Sequence, residues 1–475
     1  MHGYTGAYDR VSRRVGDYLK SLETARPPKS LIDDNPRPEP GSVAPPTDET
    51  IATLKARGYL TDLSEEEERA RLLETVTRLH ETQSRAAPIY LIMPTYDCNL
   101  RCGYCFQSEL RCEGHVASSL HMDTAMADRI LSALPRIEAE HHPAIPEGTP
   151  RNIGFFGGEP LLAANRIVVE QVMTGARAMG PARFWAVTNG TELDAYDDLL
   201  GPDDIATIQI TLDGPPAEHD RRRIYPDGSG SFERITRNIG MALDKGVAVQ
   251  VRVNVDRNNI AELPAIARAV TAFGWQSNPR FDLHTAPITA SNAETDRKTT
   301  FTTRGLADAL TDLMRDFPEM RVFRRQDQSM KTRARRIFTG QSSPTDAMKT
   351  CFCNAHDRMY VIDPFGDVYA CWEQTGNPAT RMGRIAEDGS FHTEATSHCN
   401  WRTRSAVSNP TCLRCRFLLH CGGGCAVQAE RAHGRFFTNF CDEFGVRFRQ
   451  RVAEAYLEHT AGMPETGTAA PVCSQ

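Results

Sequence analysis

The stretch "PIYLIMPTYDCNLRCGYCFQ", residues 88 to 107, sets an apolar run of strand length directly before Cys98, Cys102 and Cys105. Were 98 to 105 helical, positions i, i+4 and i+7 would share one face, and the thiols would form a small apolar seam. Gly103 and the turn-forming "DCN" oppose a helix, so the three cysteines read as a loop that follows a strand.

Downstream, short apolar runs alternate with helical periodicity. A helix at 122 to 139 follows the cysteine loop; "NIGFF" precedes one at 164 to 179, and "RFWAVT" one at 193 to 200. "ATIQITL" leads to 231 to 245, "VAVQVRVNV" to 261 to 273, and "RFDLHTAPI" closes the series. Six strands alternating with helices predict an α/β fold, a partial (β/α)6 TIM barrel over residues 88–290. Chemistry in such barrels sits on the loops after the strand carboxyl ends. Here those loops carry the three cysteines, "GGEP" (157 to 160), "TNGT" (188 to 191) and "DGPPAEHDRRR" (213 to 223).

The flanks read differently. Residues 1–49 predict an extended N-terminal segment ending in the proline-rich linker "TARPPKSLIDDNPRPEPGSVAPPTDE". A small helical module follows at 50–87, with Ser64 as a cap before an acidic first turn. After the barrel come a helical bridge (291–345), whose basic "RRQDQSMKTRARR" reads as a solvated face, and a cysteine-rich domain (346–445). The last segment, 446–475, predicts a helix and a disordered tail, "TAGMPETGTAAPVCSQ".

A net charge of -6 over 475 residues argues against a nucleic-acid partner. No run has the length of a secretory signal or a membrane span, so a cytoplasmic location without membrane partners is expected. Cytosolic thiols stay reduced, which turns the 14 cysteines toward metal or redox chemistry rather than disulfides. Three close thiolates suit zinc or an iron-sulfur cluster; on a four-iron cluster they would leave one iron open, as a catalytic centre requires. A second group comprises Cys351, Cys353, Cys371, Cys399, Cys412, Cys415, Cys421, Cys425 and Cys441. Its C-x2-C pairing fits structural zinc and iron-sulfur ligation equally by spacing alone. Within it, "RMYVIDPFGDVYACW" predicts a β-hairpin turning at "DPFG" and delivering Cys371 at its far end.

The C-x3-C-x2-C loop after the first barrel strand resembles that of the radical SAM superfamily. The resemblance implies a [4Fe-4S] cluster on Cys98, Cys102 and Cys105, with S-adenosylmethionine completing the open iron and yielding a 5'-deoxyadenosyl radical. It also implies Tyr104 beside the adenine, Gly157 and Gly158 admitting close backbone approach, and Glu159 meeting the methionine ammonium. "TLDGP" resembles a segment of peptide-modifying members, which assigns Thr211 to the cofactor and Arg223 to its carboxylate.

Cys353, Gly366 and Cys371, then C-x2-C-x5-C-x3-C at 412 to 425, then Cys441, resemble the SPASM extension of these enzymes. That implies one auxiliary cluster on Cys412, Cys415, Cys421 and Cys441. A second would use Cys353, Cys371, Cys425 and Cys351, with Cys399 competing for the last place; Cys112 and Cys473 are left over. Three [4Fe-4S] clusters result. The subgroup implied is maturases of ribosomally synthesised peptides, with a precursor peptide as substrate and a flavodoxin or ferredoxin as electron donor. An oxidative crosslink is expected, as a carbon-carbon or ether cyclophane or a thioether. Alternatives are a sulfatase-maturing enzyme, in which an aspartate stands where Trp372 follows Cys371, and an epimerase using Cys112; a zinc-stabilised scaffold is the non-enzymatic alternative. No catalytic base is assigned, and leader binding by 50 to 85 is a hypothesis.

Overall fold

The computed structural model describes residues 5–6, 8–22, 38–39, 41–83, 85–108, 121–324 and 327–461. Most of the proline-rich linker, the tail beyond Ala461, Cys112 and Cys473 lie outside these residues.

Six strands pair in parallel in chain order: β1 (Ile89–Ile92), β2 (Arg151–Phe155), β3 (Ala182–Thr188), β4 (Ile205–Thr211), β5 (Ala248–Val255) and β6 (Phe281–Pro287). Their apolar runs are what a sheet covered by helices requires. Crossovers include helices Thr124–His141, Arg166–Ala178, Phe232–Asp244 and Leu263–Ala272, close to the expected spans. Asp123 starts the first by accepting a hydrogen bond from the Met126 amide at 2.7 Å. Between β3 and β4 a 3-10 segment, Leu193–Leu199, replaces the expected α-helix. It kinks at Tyr196, whose buried hydroxyl donates to the Leu162 carbonyl at 2.7 Å, a tie that a regular helix would break.

The sheet does not end at β1. The predicted hairpin forms as β7 (Met359–Ile362) and β8 (Asp367–Tyr369), and β7 pairs in parallel with β1, Ile89 opposite Met359 through Ile92 opposite Ile362. Two further short strands, β9 (Gly383–Ile385) and β10 (Phe391–Thr393), continue it antiparallel, giving the order β10-β9-β8-β7-β1-β2-β3-β4-β5-β6 among the described residues. In the "DPFG" turn Asp363 Oδ1 accepts from the amides of Phe365 and Asp367, both at 2.9 Å.

The chain divides into two compact units, and not at the boundaries expected from sequence. Ser84–Gln326 and Asn354–Arg402 make the barrel unit, so the hairpin half of the cysteine-rich region belongs to the barrel sheet. Met1–Gln83, Asp327–Cys353 and Thr403–Gln475 make the other. There the N-terminal segment, expected to be extended, carries a helix at Arg13–Ser21, capped where Ser12 Oγ accepts from the Val15 amide at 3.3 Å. The helical module appears as Asp48–Ala56 and Glu65–Gln83, and Ser64 and Glu67 form a reciprocal capping box. Val76 of the second helix is buried with Met348, Ala406, Cys412, Leu418 and Leu419, and Gln83 Nε2 donates to the Met348 carbonyl at 3.0 Å. The module is thus part of the core that carries Cys412.

Two outcomes follow from this packing. Truncation at Gln83 uncovers that core, so protein lacking residues 1–83 is expected to be rapidly cleaved in limited proteolysis rather than to remain soluble with weaker peptide binding. In the barrel unit, burial, with help from Arg402, His141 and Arg358, lowers the His142 pKa from 6.5 to about 4 while its Nε2 meets the Tyr360 hydroxyl at 2.9 Å. The folded imidazole stays neutral where the unfolded one takes up a proton, so stability is lost as pH falls from 6.5 toward 4. That drop is worth about 3 kcal/mol; urea titrations across this range should show it, with a shallower slope in His142→Gln.

Candidate functional site

The loop after β1 is held from several sides. Asp97 Oδ1 accepts from the Cys98 amide at 2.8 Å, Arg101 N donates to the Ile224 carbonyl at 2.8 Å, and Cys105 N donates to the Cys102 carbonyl at 3.1 Å. From beyond β6, Asn292 Nδ2 donates to the carbonyls of Gly103 (3.0 Å) and Cys105 (2.9 Å). Cys98 Sγ accepts from the Leu100 amide at 3.4 Å and from Asn189 Nδ2, in the loop after β3, at 3.7 Å. All three cysteines are partly accessible.

Among the described residues no three His, Cys, Asp or Glu side chains converge on a single ion. A four-iron cluster asks for something else, because its thiolates bind separate irons at the corners of a cube. Three soft donors on one pinned loop, one of them already accepting two N–H donors, fit that demand. Hydrogen bonds to the sulfurs stabilise thiolate and are among the groups that set cluster potential.

The "GGEP" loop packs against the cysteine loop. Gly157 has φ +135°, and a Cβ there would lie 2.5 Å from the Thr95 carbonyl oxygen; at Gly158 it would lie 2.0 Å from that of Asp97. Only glycine lets the two loops come this close. Glu159 is fully buried. Its Oε1 accepts from the Leu161 amide (2.9 Å) and the Thr188 hydroxyl (2.5 Å), and Oε2 from the Asn189 amide (2.5 Å), tying the loops after β2 and β3 together. Burial pushes its carboxyl up to about 7 against these donors, and the Arg223 charge pulls it back down.

Tyr104 and Arg223, expected separately, meet. Arg223 Nη1 donates to the Tyr104 hydroxyl at 2.8 Å, and that hydroxyl donates a short hydrogen bond to Asp213 Oδ2. Asn254 Nδ2 donates to the Tyr104 hydroxyl at 3.2 Å, and Arg222 lies over the Tyr104 ring, 5.4 Å from its centroid. Burial raises the Tyr104 pKa well above its usual value, so the phenol keeps its proton. Asp213, Asn254 and Arg222 were missed by sequence reasoning, although Asp213 stands inside the quoted "TLDGP". Thr211 ends β4 half-buried, opposite Arg252 of β5.

Of the remaining cysteines, Cys371 and Cys399 belong to the barrel unit; Cys351, Cys353, Cys412, Cys415, Cys421, Cys425 and Cys441 belong to the other. Burial pushes the Cys412 thiol up to about 12, and the charges of Cys415, Cys421 and Cys441 all add to the rise, which places those four sulfurs in one neighbourhood. The glycines of "HCGGGC" were expected to make room for a cluster. A Cβ at Gly422 would lie 2.4 Å from the Cys351 carbonyl oxygen, and one at Gly424 2.1 Å from that of Phe440, so they lace three cysteine-bearing segments together. Arg404, 4% exposed, donates to the carbonyls of Gly424 (3.2 Å) and Thr438 (2.8 Å) amid these thiols.

Comparison with known proteins agrees with this geometry. Residues 92–270 match the radical SAM superfamily. The mycofactocin maturase MftC of Mycolicibacterium smegmatis is 27% identical over 381 residues, covering 77% of this chain and 84% of that protein. A cysteine-type anaerobic sulfatase-maturating enzyme of Clostridium novyi is 23% identical over 400 residues, covering 78% and 98%. Among solved structures, anSMEcpe with bound AdoMet matches with a TM-score of 0.57 at 18% identity over 79% of this chain and 97% of that one. Streptococcus suis SuiB bound to S-adenosylmethionine matches with 0.52 at 14% identity over 84% and 87%; both likenesses show the fold. A parallel barrel with a three-cysteine loop after β1, matched along 92–270, identifies that stretch as a radical SAM domain.

Proposed function

We propose that the chain is a peptide maturase that installs an oxidative intramolecular crosslink in a ribosomally synthesised precursor, using one cofactor-binding and two auxiliary [4Fe-4S] clusters. The observation that carries this reading is the gathering of Cys412, Cys415, Cys421 and Cys441 in a unit apart from the three-cysteine loop. Relatives named as maturases support it, and so does the likeness to anSMEcpe carrying a Cp18Cys peptide (TM-score 0.54).

In this reading Cys98, Cys102 and Cys105 hold three irons and leave the fourth to S-adenosylmethionine. When bound, the pair supplies a 5'-deoxyadenosyl radical able to take a hydrogen atom from unactivated carbon. The chain's own residues position it: Arg223, steadied by Tyr104 and Asp213, presents a guanidinium to the cofactor carboxylate, and Glu159 lies behind the Gly157-Gly158 turn. Forming a new bond removes a second hydrogen as a proton and an electron, and the electron needs an acceptor. Cys412, Cys415, Cys421 and Cys441 would ligate one auxiliary cluster fully, so that cluster leaves no iron open to substrate and suits electron transfer.

A sulfatase-maturing activity is the second reading, favoured by the Clostridium novyi relative. Trp372 argues against it: the residue is 40% exposed and its indole lies tilted against Phe156, centroids 5.9 Å apart, an apolar group where that enzyme type was expected to keep an aspartate.

Replacing Cys98, Cys102 or Cys105 with alanine is expected to abolish 5'-deoxyadenosine formation under dithionite; retained product, measured by liquid chromatography, would remove the loop from the reaction. Anaerobically purified protein should hold about twelve irons with matching sulfide, four per cubane cluster. Co-expression with a precursor encoded beside the gene should lower the peptide mass by two hydrogens per crosslink.

A further inference from the structure

β5 has two faces. Val249, Val251, Val253 and Val255 are fully buried, and Gln250, Arg252 and Asn254 alternate with them on the other side. In register, Arg252 stands between Thr211 of β4 and His284 of β6. This is the chamber face, because Asn254, two residues on, reaches the Tyr104 hydroxyl of the cysteine loop.

The arginines around this chamber differ in one respect. Arg222 pairs with Asp256 at 3.3 Å and Glu218 at 3.6 Å, and Arg223 is bonded to Tyr104 beside Asp213. Arg252 donates Nε to Asn254 Oδ1 at 2.8 Å, and no carboxylate among the described residues pairs with its guanidinium. Its Nη1 and Nη2 are not sealed from solvent, unlike Nε and Nη2 of Arg222, which are buried without partners. Burial pulls the Arg252 pKa down, opposed by the fields of Tyr104, Asp213 and Glu373. A partly desolvated cation with no carboxylate within ion-pair distance is costly, and its two Nη groups match the two oxygens of a carboxylate.

We propose that Arg252 is the counter-ion for a carboxylate of the peptide substrate, an Asp or Glu side chain or the C-terminal carboxylate of the segment that enters the chamber. The inference rests on the peptide-maturase reading and narrows its substrate to acidic peptide. Arg223, with Tyr104, is left to the cofactor's own carboxylate.

The test uses the anaerobic full-length enzyme with S-adenosylmethionine, wild type and the Arg252→Gln and Arg252→Lys variants, immobilised and exposed to pools of acetylated hexapeptides. Each pool fixes one position as Asp, Glu, Asn or Gln and ends in either an acid or an amide; retained peptides are quantified by mass spectrometry. Wild type should retain acidic pools over their isosteric amides by roughly tenfold, the worth of one charge-assisted hydrogen-bonded pair. Arg252→Gln should lose that preference and Arg252→Lys keep part of it. Preference confined to the terminal acid assigns the C-terminus, and preference at an internal position assigns a side chain. Equal retention of acid and amide pools by wild type overturns the proposal. So does a weakening of S-adenosylmethionine binding in Arg252→Gln, by equilibrium dialysis, with the acid preference intact, because the carboxylate would then be the cofactor's. Absence of 5'-deoxyadenosine from the wild type would sink the radical reading by itself, while the acid-to-amide ratio still decides Arg252.

Discussion

The four-residue strand β1 is paired along both edges, and the site depends on that. Ile89 to Ile92 bond to β2 on one side and to β7 on the other, all in parallel. An edge strand so short would be a weak base for a catalytic loop; a strand bonded on both sides fixes where the chain leaves the sheet. Because β1 and β7 run the same way in register, the cysteine loop and the "DPFG" turn emerge at one end, where the Tyr96 hydroxyl donates to Asp363 Oδ2 at 3.0 Å. Asp363 is buried enough for its carboxyl to rise to about 7, so this contact is made in a dry place.

The chamber is built from groups that solvent would not leave so concentrated. Tyr104, Asp213, Asn254, Arg222 and Arg223 are joined by hydrogen bonds and a cation-ring contact around one phenol. Each donor and acceptor limits where the others can sit, even though Arg222 Nε and Nη2 and Arg223 Nε are buried without a hydrogen-bond partner. Glu159 does the same for the loops after β2 and β3, so the cysteine loop, the glycine turn and the "TNGT" segment behave as one piece of structure.

Much of this was legible from residue order. The six barrel strands fell within one residue of their apolar runs, because strands covered by helices are continuous in hydrophobicity and bounded by turn residues. The hairpin was legible from "DPFG", and the Ser64 cap from its partner Glu67 three residues on. What escaped depends on distant parts of the chain. Nothing local says that Met359 to Ile362 will lie beside β1, that the Gly157-Gly158, Gly422 and Gly424 positions pack on neighbouring backbone, or that Val76 packs with Cys412. The helix at Arg13–Ser21 was hidden by the proline-rich stretch that follows it. Arg252 looked like any strand arginine, since the missing partner is a property of its neighbours.

The unit that gathers seven of the described cysteines is assembled from segments far apart in sequence, the helix Glu65–Gln83 sharing a core with Ala406, Cys412, Leu418 and Leu419. On the ribosome those segments are separated by roughly 300 residues, on the order of half a minute of synthesis at ordinary elongation rates. Val76 and its neighbours must wait through that interval without the surface they will cover. The barrel, whose strands follow one another in sequence, faces no such delay apart from the late arrival of β7. Cys412 is made long after its helix, so the face of Glu65–Gln83 around Val76 stays uncovered until that late segment arrives.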